Sequence, residues 1–218
     1  MSHLHIPDGV LPPLLWIPGL LLALLLLGLS ALAARGASRQ QVAYQGALGA
    51  LMLAVMAVEV PLGPLEYHLS LLGPVGVLLG PAATFQVVFV ANAILALVGH
   101  GGLTVVGLNA LVLGAGGALA RPVYGLIARR AGAPGAMVGA TIVAQAVSGA
   151  LWLLVVGVGL RAGAAGTARL GLFAGIAFPM WIVGIGIESV VAFGVARFLA
   201  RVRPDLLPGG GPMAEETP

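Results

Sequence analysis

Residues 14–34 carry no charge and, apart from Ser30, no polar side chain. An α-helix rises about 1.5 Å per residue and the hydrocarbon core of a bilayer is about 30 Å thick, so about 20 such residues suffice to cross it. Apolar runs of this kind recur along most of the chain. Only 8% of the 218 residues are charged and 60% are hydrophobic, whereas a soluble domain carries about a quarter charged residues. A water-soluble fold could not cover so much apolar surface, so the bilayer is the solvent this sequence matches. The expected fold is an all-α integral membrane protein, with residues 1–203 as a single membrane domain. The polar, glycine-rich stretch 204–218 is expected to be a disordered cytoplasmic tail.

The second span is predicted at 42–58, followed by a proline- and glycine-broken segment at 59–70. Residues 69–99 read either as one long tilted helix or as two short ones broken at Gly80-Pro81. Arginine counting separates these options. With a hairpin, Arg35, Arg39, Arg129, Arg130, Arg197, Arg201 and Arg203 lie on one side, against Arg161 and Arg169 on the other, seven to two; a single span gives four to five. The positive-inside rule favours the hairpin. Further spans follow at 104–128, 136–160 and 170–200, the last bent at Pro179. The reading is about seven transmembrane helices, one of them short and paired as a hairpin, with the N-terminus outside and the C-terminus cytoplasmic.

Composition also removes whole classes of chemistry. With no cysteine, thiolate metal sites, iron–sulfur clusters and disulfides are excluded, so any metal must be held by nitrogen or oxygen. All ten basic residues are arginine. A phosphate-binding loop of the Walker A type requires a lysine, so the chain cannot hydrolyse ATP by that route. The net charge of +3 reflects scarce acids rather than a nucleic-acid patch. The first eight residues lack the basic region of a cleavable signal peptide and are expected to belong to the mature protein.

In the expected topology all four histidines fall on the outer face: His3 and His5 at the start, His68 beside Glu66 in the loop, and His100. Imidazole suits nickel, cobalt, copper and zinc, and the sparse carboxylates argue against a magnesium or calcium cage. A first-row divalent ion is left. The free terminus adds donors. If Met1 is retained, Met1-Ser2-His3 offers an amine, two amides and an imidazole; if it is removed, Ser2-His3 offers three nitrogens, and His68 can complete the plane. The plainer alternative leaves the terminal histidines at the wet interface and His68 anchoring its loop. His100, between glycines, fits a turn better than a ligand position.

Inside the membrane the costly residues are Glu59, Arg121, Glu188 and Arg197, with the amides Asn92, Asn109 and Gln145. An ionisable group at that depth marks function or finds a partner within the bundle. For Glu188 a structural hydrogen bond to Asn109, or a backbone break, is favoured over direct metal contact. Gly114, Gly116 and Gly117 read as close helix packing.

Five groups of residues stand out together: His5-Ile6-Pro7-Asp8-Gly9, His68-Leu69 with Leu79-Gly80-Pro81, Gly101-Gly102-Leu103-Thr104 leading to Asn109-Ala110-Leu111, Ile187-Glu188, and Val202-Arg203-Pro204-Asp205-Leu206. In these the chain resembles the CbiM/NikM family, the metal-recognising membrane components of cobalt and nickel energy-coupling-factor transporters. The resemblance implies an N-terminal strand, residues 1–9, folded into an outward-facing pocket. There the terminal amine, the amide and side chain of a second-residue histidine, and a loop histidine corresponding to His68 hold the ion. That family usually starts Met-His, whereas His5 here follows Met1-Ser2-His3-Leu4. Either His5 keeps the ligand role without the amine, or His3 beside a processed Ser2 takes it and His5 supports the site. His100, Asn109, Glu188 and Glu66 are expected around the ion or along the transport route.

The resemblance further implies a transmembrane coupling (T) subunit, cytoplasmic ATPase (A) subunits and a small accessory membrane subunit, in a bacterial cytoplasmic (inner) membrane. No catalytic cofactor is expected; Co2+ or Ni2+ is the transported substrate. The competing reading is a secondary carrier coupling metal to protons through Glu188 or Glu59. An intramembrane metalloprotease is disfavoured, because no His-Glu-x-x-His pair is present.

Overall fold

The computed structural model describes residues 5–58, 60–62, 65–162 and 166–210, with side chains omitted at 60–62, 65–67, 161–162, 166–174 and 176–177. Six helices account for most of it: α1 (Pro13–Ala33), α2 (Arg39–Met56), α3 (Leu72–Leu79), α4 (Pro81–Leu97), α5 (Val106–Ala162) and α6 (Gly166–Val202). Two three-residue strands, β1 (Val60–Leu62) and β2 (Leu65–Tyr67), pair antiparallel with Val60 opposite Tyr67. This small hairpin occupies the segment the sequence reading left irregular.

Local chemistry sets the boundaries. At the start of α1, Pro13 takes a first-turn position where its missing N–H costs nothing. Helix α2 begins three residues before the predicted span, because Ser38 and Gln41 form a reciprocal capping box. The Ser38 Oγ accepts from the Gln41 N–H at 3.2 Å, and the Ser38 N–H donates to Gln41 Oε1 at 2.8 Å. The break between α3 and α4 falls at Gly80, with φ 77° and ψ 177°, a region open essentially to glycine alone. Pro81 then opens α4. A second break interrupts α5 at Gly132, with φ 65° and ψ 175°, dividing it into two arms at the predicted interval between spans.

Helix α3 has eight residues and is therefore about 12 Å long, too short to cross a bilayer alone. It lies inside the bundle, with Leu72, Gly73, Pro74, Val75, Gly76 and Val77 all buried. Two of its glycines make this possible. A Cβ on Gly73 would come 2.6 Å from the Thr141 Cα, and one on Gly76 would come 2.4 Å from the Gly117 carbonyl oxygen of α5.

The main core gathers around α3 and draws on α2, α4, α5 and α6, with Met52, Leu72, Leu95, Leu113, Tyr124 and Met137 fully enclosed. A second cluster, Ile6, Leu11, Val105, Leu108, Val112, Trp152 and Val156, fastens the N-terminal segment to α5. The outer surfaces are apolar: Leu14 is 84% exposed, Leu126 79% and Val190 74%, an arrangement suited to lipid and not to water. Among the described residues, Pro13–Ala33, Val106–Leu160 and Phe178–Val202 are long and apolar enough to cross a membrane.

The expectation of disorder from residue 204 fails for residues 204–210. Pro204–Leu206 forms a 3-10 turn, and Arg203 grips Asp205 through two hydrogen bonds of 2.9 and 2.8 Å. Leu207 is buried in the main core, which supplies the apolar anchor that a purely compositional reading of this stretch misses. Residues 211–218 lie outside the described residues.

Candidate metal centre

The N-terminal segment is held in place through its main chain. Asn109, buried near the start of α5, accepts from the Ile6 N–H at 2.8 Å and donates to the Ile6 carbonyl at 3.1 Å. One amide side chain therefore satisfies both backbone groups of a fully buried residue, as a neighbouring β-strand would. Two residues on, the Asp8 carboxylate accepts from the Leu103 N–H at 3.0 Å, from the Thr104 N–H at 2.9 Å and from the Thr104 hydroxyl. These bonds hold the Asp8 carboxyl below the usual carboxylate range, Thr104 being the main cause. The loop leaves room for the clasp at Gly102, where a Cβ would lie 2.5 Å from Asp8 Oδ1.

Clamped on both sides, the segment delivers His5 into the bundle, where it is 7% exposed. The loop that leaves β2 delivers His68, 8% exposed, to the same place. The rings are stacked with centroids 5.2 Å apart and planes inclined by 20°. Imidazole lone pairs lie in the ring plane, so the two rings hold theirs in nearly parallel planes. Between them and α6 is a cavity of about 20 Å³, lined by His5, His68, Met56, Ser70, Gln145, Trp181 and Glu188, among others. A void of roughly 10–15 Å³ or more accommodates one water-sized body, so this one admits a single small ion and excludes larger ligands.

Burial pushes the His5 imidazole down from its ordinary 6.5 to about 3, with repulsion from His68 and His100 adding to the shift and a hydrogen bond to Asn92 opposing it. His5 is thus neutral at physiological pH, the form in which imidazole coordinates a metal. Asn92 is itself fixed, because its amide donates to the Val88 carbonyl at 2.8 Å. Ligating histidines commonly hydrogen-bond an oxygen through the second ring nitrogen, which sets the tautomer.

The His68 loop is anchored from two helices. The Glu188 carboxylate, 1% exposed, accepts from the Ser70 N–H and from the Leu71 N–H at 3.2 Å. Gln145 of α5 donates to Ser70 Oγ at 2.9 Å, and the same oxygen accepts from the Leu72 N–H at 3.1 Å. Leu71 is the one described non-glycine residue with positive φ, 54°, and the carboxylate holds that turn at the head of α3. The expected Asn109–Glu188 pairing is therefore corrected: Asn109 serves Ile6, while Glu188 serves the loop. Its oxygens are occupied by the two main-chain N–H groups that the short, buried α3 leaves at its start.

His100 sits in the turn after α4, where its N–H donates to the Leu95 carbonyl at 2.8 Å and its imidazole is close enough to depress His5. Its neighbours Gly99 and Gly101 have φ of 89° and 90°, so the glycines form the turn itself. Glu66 lies in β2 opposite Pro61; its side chain is outside the described set. So are Met1, Ser2 and His3, the expected N-terminal donors, and Glu59. Among the described residues no group of three histidines and carboxylates converges on one point. Sequence reasoning marked Asn92 and Gln145 only as costly amides in apolar segments and assigned them no task. Met56 and Trp181 gave no signal, because a methionine and a tryptophan in a hydrophobic run look like core.

Comparison with known proteins supplies the context for this site. The profile of the CbiM family, described as the cobalt uptake substrate-specific transmembrane region, matches residues 5–206. Two solved structures share the fold, each with a TM-score of 0.76 and 19% sequence identity. One, described as a truncated transition metal transporter, is covered over 98% of its length by 90% of this chain. The other, described as a transition metal transporter, is covered over 93% of its length by 91% of this chain. A search of curated proteins finds no match. With the matched region running from His5 through Asn109 and Glu188 to Leu206, the chain belongs to the CbiM family of cobalt uptake substrate-specific transmembrane regions.

Proposed function

We propose that this chain captures Co2+ or Ni2+ at the outer face of a bacterial cytoplasmic membrane, for ATP-driven import by an energy-coupling-factor transporter. The observation that carries the reading is the pair of buried imidazoles, His5 and His68, stacked at a cavity sized for one small ion. Burial keeps His5 unprotonated and open to coordination. Two imidazoles leave a first-row ion short of donors, and Met1, Ser2 and His3 are placed in sequence to complete the sphere with an amine, amide nitrogens and a third imidazole. On this reading Asn109 and Asp8 position the N-terminal ligand, Glu188 and Gln145 position the loop ligand, and His100 and Asn92 tune the imidazole.

Family membership supports a substrate-recognising role within a larger system. A transmembrane coupling subunit, cytoplasmic ATPases and a small accessory membrane subunit then complete the transporter, because the chain has no lysine for a Walker A loop. The secondary-carrier reading needs a carboxylate free to shuttle protons; of its two candidates, Glu188 is engaged by two main-chain donors and Glu59 lies outside the described residues. Two measurements test the proposal: equilibrium binding of cobalt and nickel to the purified chain, and radiolabelled uptake in cells with and without an active ATPase partner. Stoichiometric binding lost in both His5→Ala and His68→Ala, with uptake that requires the ATPase, is the expected result. Uptake that persists without the ATPase establishes the carrier instead.

A further inference from the structure

Away from the histidines, at the arginine-rich end of the bundle, two open spaces join against α2 and α4. A groove of about 500 Å³ runs between these helices, lined by Gly46, Gly49, Leu53, Val90 and Ile94. Through Gln45, which lines both, it continues into a recess of about 600 Å³ bordered by Gln41, Tyr44 and Arg121. Pockets that hold small organic ligands measure about 300–1,000 Å³.

The groove is apolar and faces the bilayer: Val90 is 52% exposed and Ile94 39%. Gly46 points into it, and a Cβ there would meet nothing within 4 Å. Its missing side chain is therefore not used for packing within the chain. The recess is cationic. The Arg121 guanidinium lies over Gly80, where a Cβ would stand 3.1 Å from Nη1, and among the described residues Arg121 has no ion pair. Helix α4 starts at the same spot with no side chain capping it, so its positive end adds to the arginine. The Tyr44 hydroxyl is buried there with no hydrogen-bond partner among the described residues, and the Arg203–Asp205 ion pair, whose charges offset one another, is within electrostatic reach of it.

We propose that this continuous groove is the binding site for one anionic phospholipid, its phosphate at Arg121 and Tyr44 and an acyl chain lying between α2 and α4. Charge complementarity selects the occupant. The positive-inside rule places this end toward the cytosol, and basic pockets between helices on that side receive anionic head groups. A partner's transmembrane helix would fill the apolar half and leave the cationic recess open, whereas a phospholipid matches both halves at once.

The test is native mass spectrometry of the full chain in detergent, titrated separately with dioleoylphosphatidylglycerol, dioleoylphosphatidylcholine and inorganic phosphate. One phosphatidylglycerol should bind, phosphatidylcholine at least about tenfold more weakly, and phosphate not at all. Loss of a hydrogen bond to a charged group corresponds to about 10- to 100-fold in affinity. Arg121→Gln should weaken phosphatidylglycerol binding by that factor, and Arg121→Lys should restore most of it. Gly46→Leu, whose side chain enters open space, should weaken it independently. Circular dichroism melts matching the parent show that the variants fold. Equal binding of the two lipids, phosphate binding as tight as lipid binding, or parental affinity in both Arg121→Gln and Gly46→Leu overturns the proposal.

Discussion

Replacement of Asn109 by alanine isolates the docking of the N-terminal segment from the metal chemistry. The side chain makes two buried hydrogen bonds, 2.8 and 3.1 Å, to the main chain of Ile6, next to His5. Each such bond contributes about 0.5–1.5 kcal/mol net, or about 1–3 kcal/mol for the two. Because ion binding draws on the docked segment, the loss passes into apparent metal affinity. At about 1.4 kcal/mol per factor of ten, the dissociation constants for cobalt and nickel should rise about 5- to 150-fold. The bundle itself should survive, since Asn109 contacts none of α3, α4 or α6 through these bonds. Isothermal titration of the purified variant measures the affinity, and limited proteolysis at residues 5–10 should show the segment released. Affinity within twofold of the parent, with proteolysis at the segment unchanged, would refute the claim that this amide holds His5 in place.

Glu188→Leu should be more damaging to the fold itself. It leaves two buried N–H groups at Ser70 and Leu71 unpaired, at about 1–3 kcal/mol each, so a clear fall in melting temperature and loss of metal binding are expected in detergent melts and titrations. Gly80→Ala, at φ 77° and ψ 177°, should destabilise by about 1–3 kcal/mol, read as the same kind of fall with metal affinity preserved in the folded fraction. The His5 shift gives a pH signature. Its folded value is depressed from 6.5 to about 3, so folding disfavours the proton. Stability is full above 6.5 and declines as pH falls from 6.5 toward 3, where the released segment takes up a proton that the docked one refuses. Metal-free melts across this window should slope for the parent and flatten in His5→Asn.

The membrane-crossing character of Pro13–Ala33, Val106–Leu160 and Phe178–Val202 was legible because length and hydropathy speak directly to a bilayer. The break at Gly80-Pro81 was favoured by arginine counting over one long helix, and the structure ends α3 and starts α4 there. Ser38 and Gln41 carry a capping signature that the apolar-run reading passed over, which is why α2 starts earlier than predicted. His5 and His68 were legible as candidates by residue type, and the structure stacks them. What holds them was not legible, because those contacts join distant parts of the chain. Asp8 meets Thr104 across 96 positions and Glu188 meets Ser70 across 118, and in each case the partner includes a main-chain group that every residue possesses. Leu207 was hidden for another reason. A pair of leucines, Leu206 and Leu207, between prolines and next to a glycine run reads as tail until the hollow that one of them fills is known.

The two imidazoles hang from different supports. His5 is suspended from the first arm of α5 through Asn109 and from the loop just before it through Thr104, while His68 is suspended from the second arm and from α6 through Gln145 and Glu188. A cation bridging them would act as a rivet through two plates. Sliding of one plate past the other alters the gap between the rings, so tightness of grip and relative position of the helices are two readings of a single coordinate.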